Sequence, residues 1–145
     1  MEEKVIFLVE DNPDDQALTT RALKKNNISN KIVIANDGAQ ALEYLFGPVP
    51  RFGGRGALPQ LVLLDLKLPK VDGIEVLAKI RADKRTKRLP VVILTSSKED
   101  QDLIRSYDGG ANSYIRKPVD FDQFTEAVRH LGLYWLVLNE TPPCP

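Results

Sequence analysis

The sequence predicts an α/β fold: a doubly wound, five-stranded parallel sheet with strand order 2-1-3-4-5. Three observations predict it. Short apolar runs, mostly β-branched, alternate with longer amphipathic stretches along the chain. Several runs are apolar on both faces, as strands are when helices cover the sheet on both sides. Strand–helix units also follow one another without interruption by paired strands, which implies right-handed crossovers. For five such strands 2-1-3-4-5 is a common order.

The apolar runs are Val5-Ile6-Phe7-Leu8-Val9, Ile32-Val33-Ile34-Ala35, Leu61-Val62-Leu63-Leu64, Val91-Val92-Ile93-Leu94 and Ser113-Tyr114-Ile115. Asn12-Pro13 reads as an N-cap followed by proline at the first helical position, opening a helix that runs to about Asn26. A second helix follows Gly38, with Leu42, Leu45 and Phe46 on one face. A third follows Gly73, with Val76, Leu77 and Ile80 on one face. A fourth is expected to start near Ser97 and to end at Gly109-Gly110, a C-terminal cap signal. In the last, Phe121, Phe124, Val128, Leu131, Trp135 and Leu138 recur at helical spacing. The prolines of the tail cannot continue that helix.

The chain has 145 residues, enough for one domain with a sizeable core. We expect that domain to span residues 1–140, followed by a Pro-rich tail at 141–145. A hydrophobic fraction of 43% and a charged fraction of 28% are ordinary for a globular protein. Lys plus Arg and Asp plus Glu each total 20, so the formal net charge is zero. Neither nucleic acid nor a membrane surface is therefore an expected partner. Cys144 is the only cysteine. It cannot form an internal disulfide, and a reducing cytoplasm is the expected compartment. No apolar run approaches the ~20 residues of a membrane span, and the charged start shows no signal-peptide pattern.

In a doubly wound sheet, ligands bind beyond the carboxyl ends of the strands where the order reverses, here between the first and third. The first strand ends at Glu10-Asp11 and the third at Asp65, so the fold gathers these carboxylates. The fourth ends at Thr95-Ser96 and the fifth at Arg116-Lys117-Pro118, adding hydroxyls and an amine. Carboxylates held together repel, and a divalent cation relieves the repulsion. Hard oxygen ligands with room for water suit Mg²⁺. Asp65 is then placed to attack a phosphoryl donor, with Lys117 and Thr95 suited to hold the remaining phosphoryl oxygens. Each residue has a plainer reading. Glu10-Asp11 also reads as helix N-terminal charge, Asp65 as the start of a loop, Thr95-Ser96 as a helix cap and Lys117 as a solvated charge. Convergence of all of them at neighbouring strand ends favours the phosphoryl or metal site.

Four segments carry a resemblance: Phe7-Leu8-Val9-Glu10-Asp11-Asn12-Pro13, Leu63-Leu64-Asp65-Leu66-Lys67-Leu68-Pro69-Lys70-Val71-Asp72-Gly73, Ile93-Leu94-Thr95-Ser96-Ser97 and Tyr114-Ile115-Arg116-Lys117-Pro118. Together they resemble the response-regulator receiver domains of two-component signalling, over residues 4–131, and imply the flavodoxin-like receiver fold. Within that family the chain is most similar to phytochrome-associated single-domain response regulators.

The resemblance implies that Asp65 accepts a phosphoryl group from a sensor histidine kinase, here one of the phytochrome photoreceptor type. It implies Mg²⁺ bound by Asp11, Asp65, the Lys67 backbone carbonyl and Glu10, the last directly or through water. Lys117 pairs with the phosphate, Thr95 moves to bond it, and Tyr114 follows as the fourth helix and fifth strand rearrange. Lys67, Ser96 and Ser97 are expected to modulate the site, and the Lys117-Pro118 bond is expected to be cis. Lys67 stands where many receivers carry Asn or Met. Glu10 replaces the commoner Asp, and Ser97 replaces a larger or charged residue.

The resemblance leaves two neighbouring readings open: a phosphorelay intermediate that passes the group to a second histidine protein, and an aspartyl-phosphate phosphatase. The phosphatases of that kind place a second acid two residues after the nucleophile, where this chain has Lys67. A dead-site receiver is disfavoured because Asp65, Asp11 and Lys117 are all present. Gly53-Gly54-Arg55-Gly56 lacks the Gly-Lys-Ser/Thr ending of a nucleotide loop. It falls between a helix and a strand, so residues 47–60 are expected to form a flexible surface loop at the end of the sheet away from the acids. His130 reads as an ordinary helix residue. Tyr134, Leu136 and Val137 lie off the core stripe of the last helix, which makes a homodimer through that surface a candidate.

Overall fold

The structure, a computed structural model, describes residues 5–26, 28, 30–53, 57–117 and 121–132, with residues 121, 131 and 132 described in their backbone alone. The apolar runs form β1 (Val5–Val9), β2 (Lys31–Ala35), β3 (Leu61–Leu64), β4 (Val91–Thr95) and β5 (Ser113–Arg116). Between them lie α1 (Pro13–Lys25), α2 (Gly38–Phe46), α3 (Gly73–Ala82), α4 (Asp100–Asp108) and α5 (Phe121–Gly132). All strand pairs are parallel, in the order β2-β1-β3-β4-β5. The fold is the doubly wound arrangement that the alternation predicted and the flavodoxin-like one that the resemblance implied.

Every residue of β1, β3 and β4 is buried. Successive side chains point to opposite faces. Phe7, Val9, Val62, Leu64 and Ile93 therefore pack with Ala41, Leu45, Val76, Leu77 and Ile80 of α2 and α3. Ile6, Leu8, Leu61, Leu63 and Val92 pack on the other side with Ala22, Leu23, Phe124 and Val128 of α1 and α5. The β-branched runs were legible as strands because both faces are covered in this way.

The helix starts are set locally. Asn12 Oδ1 accepts from the backbone N–H groups of Asp14 (2.8 Å) and Asp15 (3.2 Å), with Pro13 opening α1 as expected. Asp37 and Asp72 cap α2 and α3 in the same manner. The fourth helix departs from expectation. It begins at Asp100 rather than near Ser97, and Glu99 makes no side-chain cap. Residues 96–99 are instead held by side-chain bonds of Ser97, which accepts from the Glu99 N–H and donates to Asp102. The predicted end at Gly109-Gly110 is present, with Gly110 at φ 100°.

The segment after α2 corrects a second expectation. It is not wholly a surface excursion, because Phe52 is buried against Phe7 with ring centroids 4.9 Å apart. Arg51 stacks over the Tyr44 ring at 4.4 Å. A fully buried Phe side chain contributes about 2–3 kcal/mol, enough to tie this stretch to the core. Residues 54–56 of the glycine-rich motif lie outside the described residues. So do Pro118 with its expected cis bond, the residues from Tyr134 to Leu138 behind the dimer expectation, and the tail at 141–145. Among the described residues, no helix is long and apolar enough to cross a membrane.

Candidate functional site

Pairing of Val9 with Leu64 sets Glu10 and Asp65 side by side as the next residue of each strand. The Asp65 N–H donates to the Val9 carbonyl at 3.0 Å, and the Glu10 N–H to the Ala35 carbonyl at 3.0 Å. The carboxylates of Glu10, Asp11 and Asp65 each offer an oxygen such that all three lie within 4.8 Å of one another. Asp65 is 7% exposed and Glu10 2%, whereas Asp11 is exposed. The switch point thus holds an acidic cluster with one open side.

Lys117 arrives from the end of β5, held by its own N–H donating to the Thr95 carbonyl at 2.7 Å. Its ammonium makes a short hydrogen bond to Glu10 Oε1. It also lies 3.1 Å from Asp15 Oδ2 and 3.6 Å from Asp65 Oδ2. One cation faces three carboxylates. Burial pushes the Glu10 carboxyl up to about 7; the hydrogen bond from Lys117 opposes that rise and the Asp65 charge adds to it. Burial works to lower Lys117, but the bond to Glu10 and the charge of Asp65 outweigh it and raise the ammonium above its ordinary value. Glu10 thus holds its proton more tightly chiefly because it is buried, and Lys117 because carboxylates surround it, which leaves negative charge in excess. That donor set fits a hard divalent cation, which would relieve the excess, and the exposed Asp11 leaves room for water.

The loop after β3 is gripped from both ends. A Cβ on Gly73 would come within 2.2 Å of the Asp65 carbonyl oxygen and 2.7 Å of Leu66 Cα, so only glycine lets α3 start this close to the acid. Lys70 takes the left-handed conformation at φ 68°, with its ammonium 3.6 Å from Asp37. Asp65 Oδ1 accepts from the Leu66 N–H at 2.7 Å, leaving Oδ2 on the Lys117 side.

The remaining expected residues divide. Thr95 is fully buried and its hydroxyl accepts from the Ser97 N–H at 3.3 Å. Ser96 is exposed. Lys67 borders a cleft shared with Asp11 and Asp102. Its ammonium lies 3.2 Å from Asp102. Tyr114 is half-buried, with its hydroxyl enclosed and without a hydrogen-bond partner among the described residues.

Two acids went unread in the sequence. Asp15 lies in the first turn of α1, and the available signal was its place four residues past Asp11. Asp102 gave no local signal, since its partners are Lys67 and Ser97. The hydrogen bond from Ser97 holds its carboxyl below the usual range; burial works against this, and Lys67 adds to it.

The response regulator receiver domain family matches residues 6–129. The chain is similar to the probable methanogenesis regulatory protein FilR2 of Methanothrix harundinacea, 44% identical over 138 residues that cover 95% of this chain and 87% of that one. It is similar to response regulator Rcp1 of Synechocystis, 38% identical over 138 residues, 92% of this chain and 89% of that one. The crystal structure of the Mn²⁺-bound form of Rcp1 matches with a TM-score of 0.85 at 37% identity, covering 97% of this chain and 99% of that one. The crystal structure of the phosphorylated cyanobacterial phytochrome response regulator RcpA matches with a TM-score of 0.88 at 39% identity, again over 97% and 99%. Sheet order, acidic switch point and these likenesses agree, and the chain belongs to the response regulator receiver domains of two-component signalling.

Proposed function

We propose that Asp65 accepts a phosphoryl group from a histidine of a sensor kinase, and that this switches the surface formed by α4, β5 and α5. The observation that carries the reading is the meeting of Glu10, Asp11 and Asp65 oxygens within 4.8 Å of one another, with the Lys117 ammonium 3.6 Å from Asp65. In the transfer, a carboxylate oxygen of Asp65 bonds to phosphorus as the bond from phosphorus to the kinase imidazole nitrogen breaks. The electron pair stays on that nitrogen, which takes up a proton. Glu10, Asp11, Asp65 and the Lys67 carbonyl would hold a divalent cation, Mg²⁺ in this reading, which would neutralise phosphoryl charge when bound. Lys117 leaves its bond to Glu10 for a phosphoryl oxygen. Thr95 turns its hydroxyl to another, giving up the Ser97 N–H, and Tyr114 takes the space that Thr95 vacates. Water later attacks the acyl phosphate and restores the carboxylate, with Lys67, Ser96 and Ser97 flanking its approach.

Likeness to phytochrome response regulators supports a phytochrome-type kinase as the partner. The reading places the exchange in the cytoplasm, where a kinase has its ATP. It includes the homodimer expected from Tyr134, Leu136 and Val137; Ile104 and Tyr107 of α4, 55% and 50% exposed, are apolar side chains among the described residues that support it. Light scattering with and without a phosphodonor checks the dimer, and a monomer in both states counts against it. For the acceptor, the test is incubation with Mg²⁺ and a small acyl phosphate, read by intact mass. The parent gains one phosphoryl group and Asp65→Asn gains none; labelling that survives the substitution rules Asp65 out.

A further inference from the structure

Beside the acceptor, one buried carboxylate joins three segments. Asp102 lies in the first turn of α4 with its side chain 6% exposed. Its Oδ2 accepts the Ser97 hydroxyl at 2.6 Å and pairs with the Lys67 ammonium at 3.2 Å. Its carbonyl accepts the Ser106 hydroxyl at 2.7 Å. Lys67 stands two residues past Asp65, and Ser97 two residues past Thr95. The loop after β3, the loop after β4 and α4 therefore meet at one oxygen. Glu99 provides no side-chain cap, so this junction tethers the helix start, beside the looser and more exposed Arg116–Asp100 pair at 3.5 Å.

The two halves of the pair differ in freedom. The Lys67 side chain is 63% exposed and can swing, whereas Asp102 is enclosed. Phosphorylation replaces the single charge of the Asp65 carboxylate with a phosphoryl group carrying roughly 1.5–2 negative charges, a net gain on the very loop that carries Lys67. The ammonium gains a stronger partner, and Asp102 keeps its burial but loses its counter-charge. A buried carboxylate stripped of its cation is costly, far more so than an exposed one. Moving the first turn of α4 toward water removes that cost. Withdrawal of Thr95 from the Ser97 N–H loosens the same junction from its other side.

We propose that Asp102 is the fixed half of a charge latch: a phosphoryl group on Asp65 draws Lys67 off Asp102, and the stranded carboxylate releases the first turn of α4. The latch rests on the acceptor reading and adds to it the element that converts charge at the acid into motion of a helix.

Amide hydrogen exchange of the full chain with Mg²⁺, before and after acetyl phosphate, tests this, with intact mass reporting the phosphoryl group in each sample. In the parent, phosphorylation raises exchange in the first turn of α4. Lys67→Met, which leaves Asp102 buried without its cation, raises it without phosphorylation by roughly 5- to 30-fold, and phosphorylation adds little further. Asp102→Asn, which keeps shape and leaves no charge to strand, raises resting exchange less, on the order of 2- to 5-fold, and phosphorylation adds nothing further. Exchange in β1 and β3 stays at the parent level in both variants; a rise throughout the chain counts against the latch. Phosphoryl uptake without change at α4 in the parent, or resting Lys67→Met exchanging like the parent, overturns the latch and leaves the acceptor standing. A parent that takes up no phosphoryl group overturns both.

Discussion

Glu10 shows what the crowding of acids costs at the level of one residue. Its carboxyl is 2% exposed and pushed up to about 7 from 4.5, so the folded protein keeps a proton that the unfolded chain releases. As pH rises from about 4.5 to 7, the unfolded state loses that proton first and folding weakens. Metal-free protein should therefore melt at lower temperature at pH 7.5 than at pH 5.5, with a free-energy loss on the order of 2 kcal/mol. Thermal melts in EDTA check this, Glu10→Gln should abolish the slope, and Mg²⁺ should flatten it. Asp102 acts in the opposite sense, since its carboxyl is lowered, but only below its ordinary value of 3.8, outside this window. An unchanged slope in Glu10→Gln would assign the effect elsewhere.

At the scale of elements, the chain invests packing in holding its loops. The loop after β3 is pinned by the close start of α3 at Gly73, by the Lys70–Asp37 pair and by the Lys67–Asp102 pair. The segment after α2 is pinned by Phe52, which stacks edge-on against Phe7 of β1. Phe52→Ala leaves a cavity on the face of the sheet that carries α2 and α3. We expect a stability loss of about 3–4 kcal/mol, read by urea unfolding. A loss under about 1 kcal/mol would show that the loop is a surface segment after all. The glycine-rich stretch was read as such a segment because glycine and proline dominate it, and a single aromatic among them carries no periodicity.

Across the whole molecule, the two ends of the sheet divide the labour. The carboxyl ends carry the acids and Lys117. The opposite end is stitched by Arg81, whose Nε donates to the Gly110 carbonyl at 2.9 Å. Its Nη1 donates to the Lys87 and Leu89 carbonyls at 3.0 and 2.7 Å, and its Nη2 to Asn112 Oδ1 at 2.9 Å. Asn112 Oδ1 also accepts the Val91 N–H at 2.8 Å. Arg81→Met should cost about 2–4 kcal/mol through carbonyls left without donors. Because the stitch lies a full strand away from Asp65, phosphoryl uptake at a temperature where the variant stays folded should match the parent. Lost uptake in folded Arg81→Met would mean that the two ends are coupled.

Much of this was legible in one dimension. Alternation of apolar runs and amphipathic stretches specified the layers, because a strand covered on both sides must be apolar on both faces. Capping residues and the paired glycines specified most helix ends, because a cap acts within one turn. The gathering of Glu10, Asp11, Asp65 and Lys117 was legible because strand order alone places strand ends together. What tertiary structure alone decided is which charge meets which. Asp15 turning to Lys117, Asp102 gathering Lys67, and Phe52 folding back on Phe7 are contacts between segments far apart in the chain. The same contacts delayed the start of α4, since a helix without a local cap begins where its tertiary partners hold it.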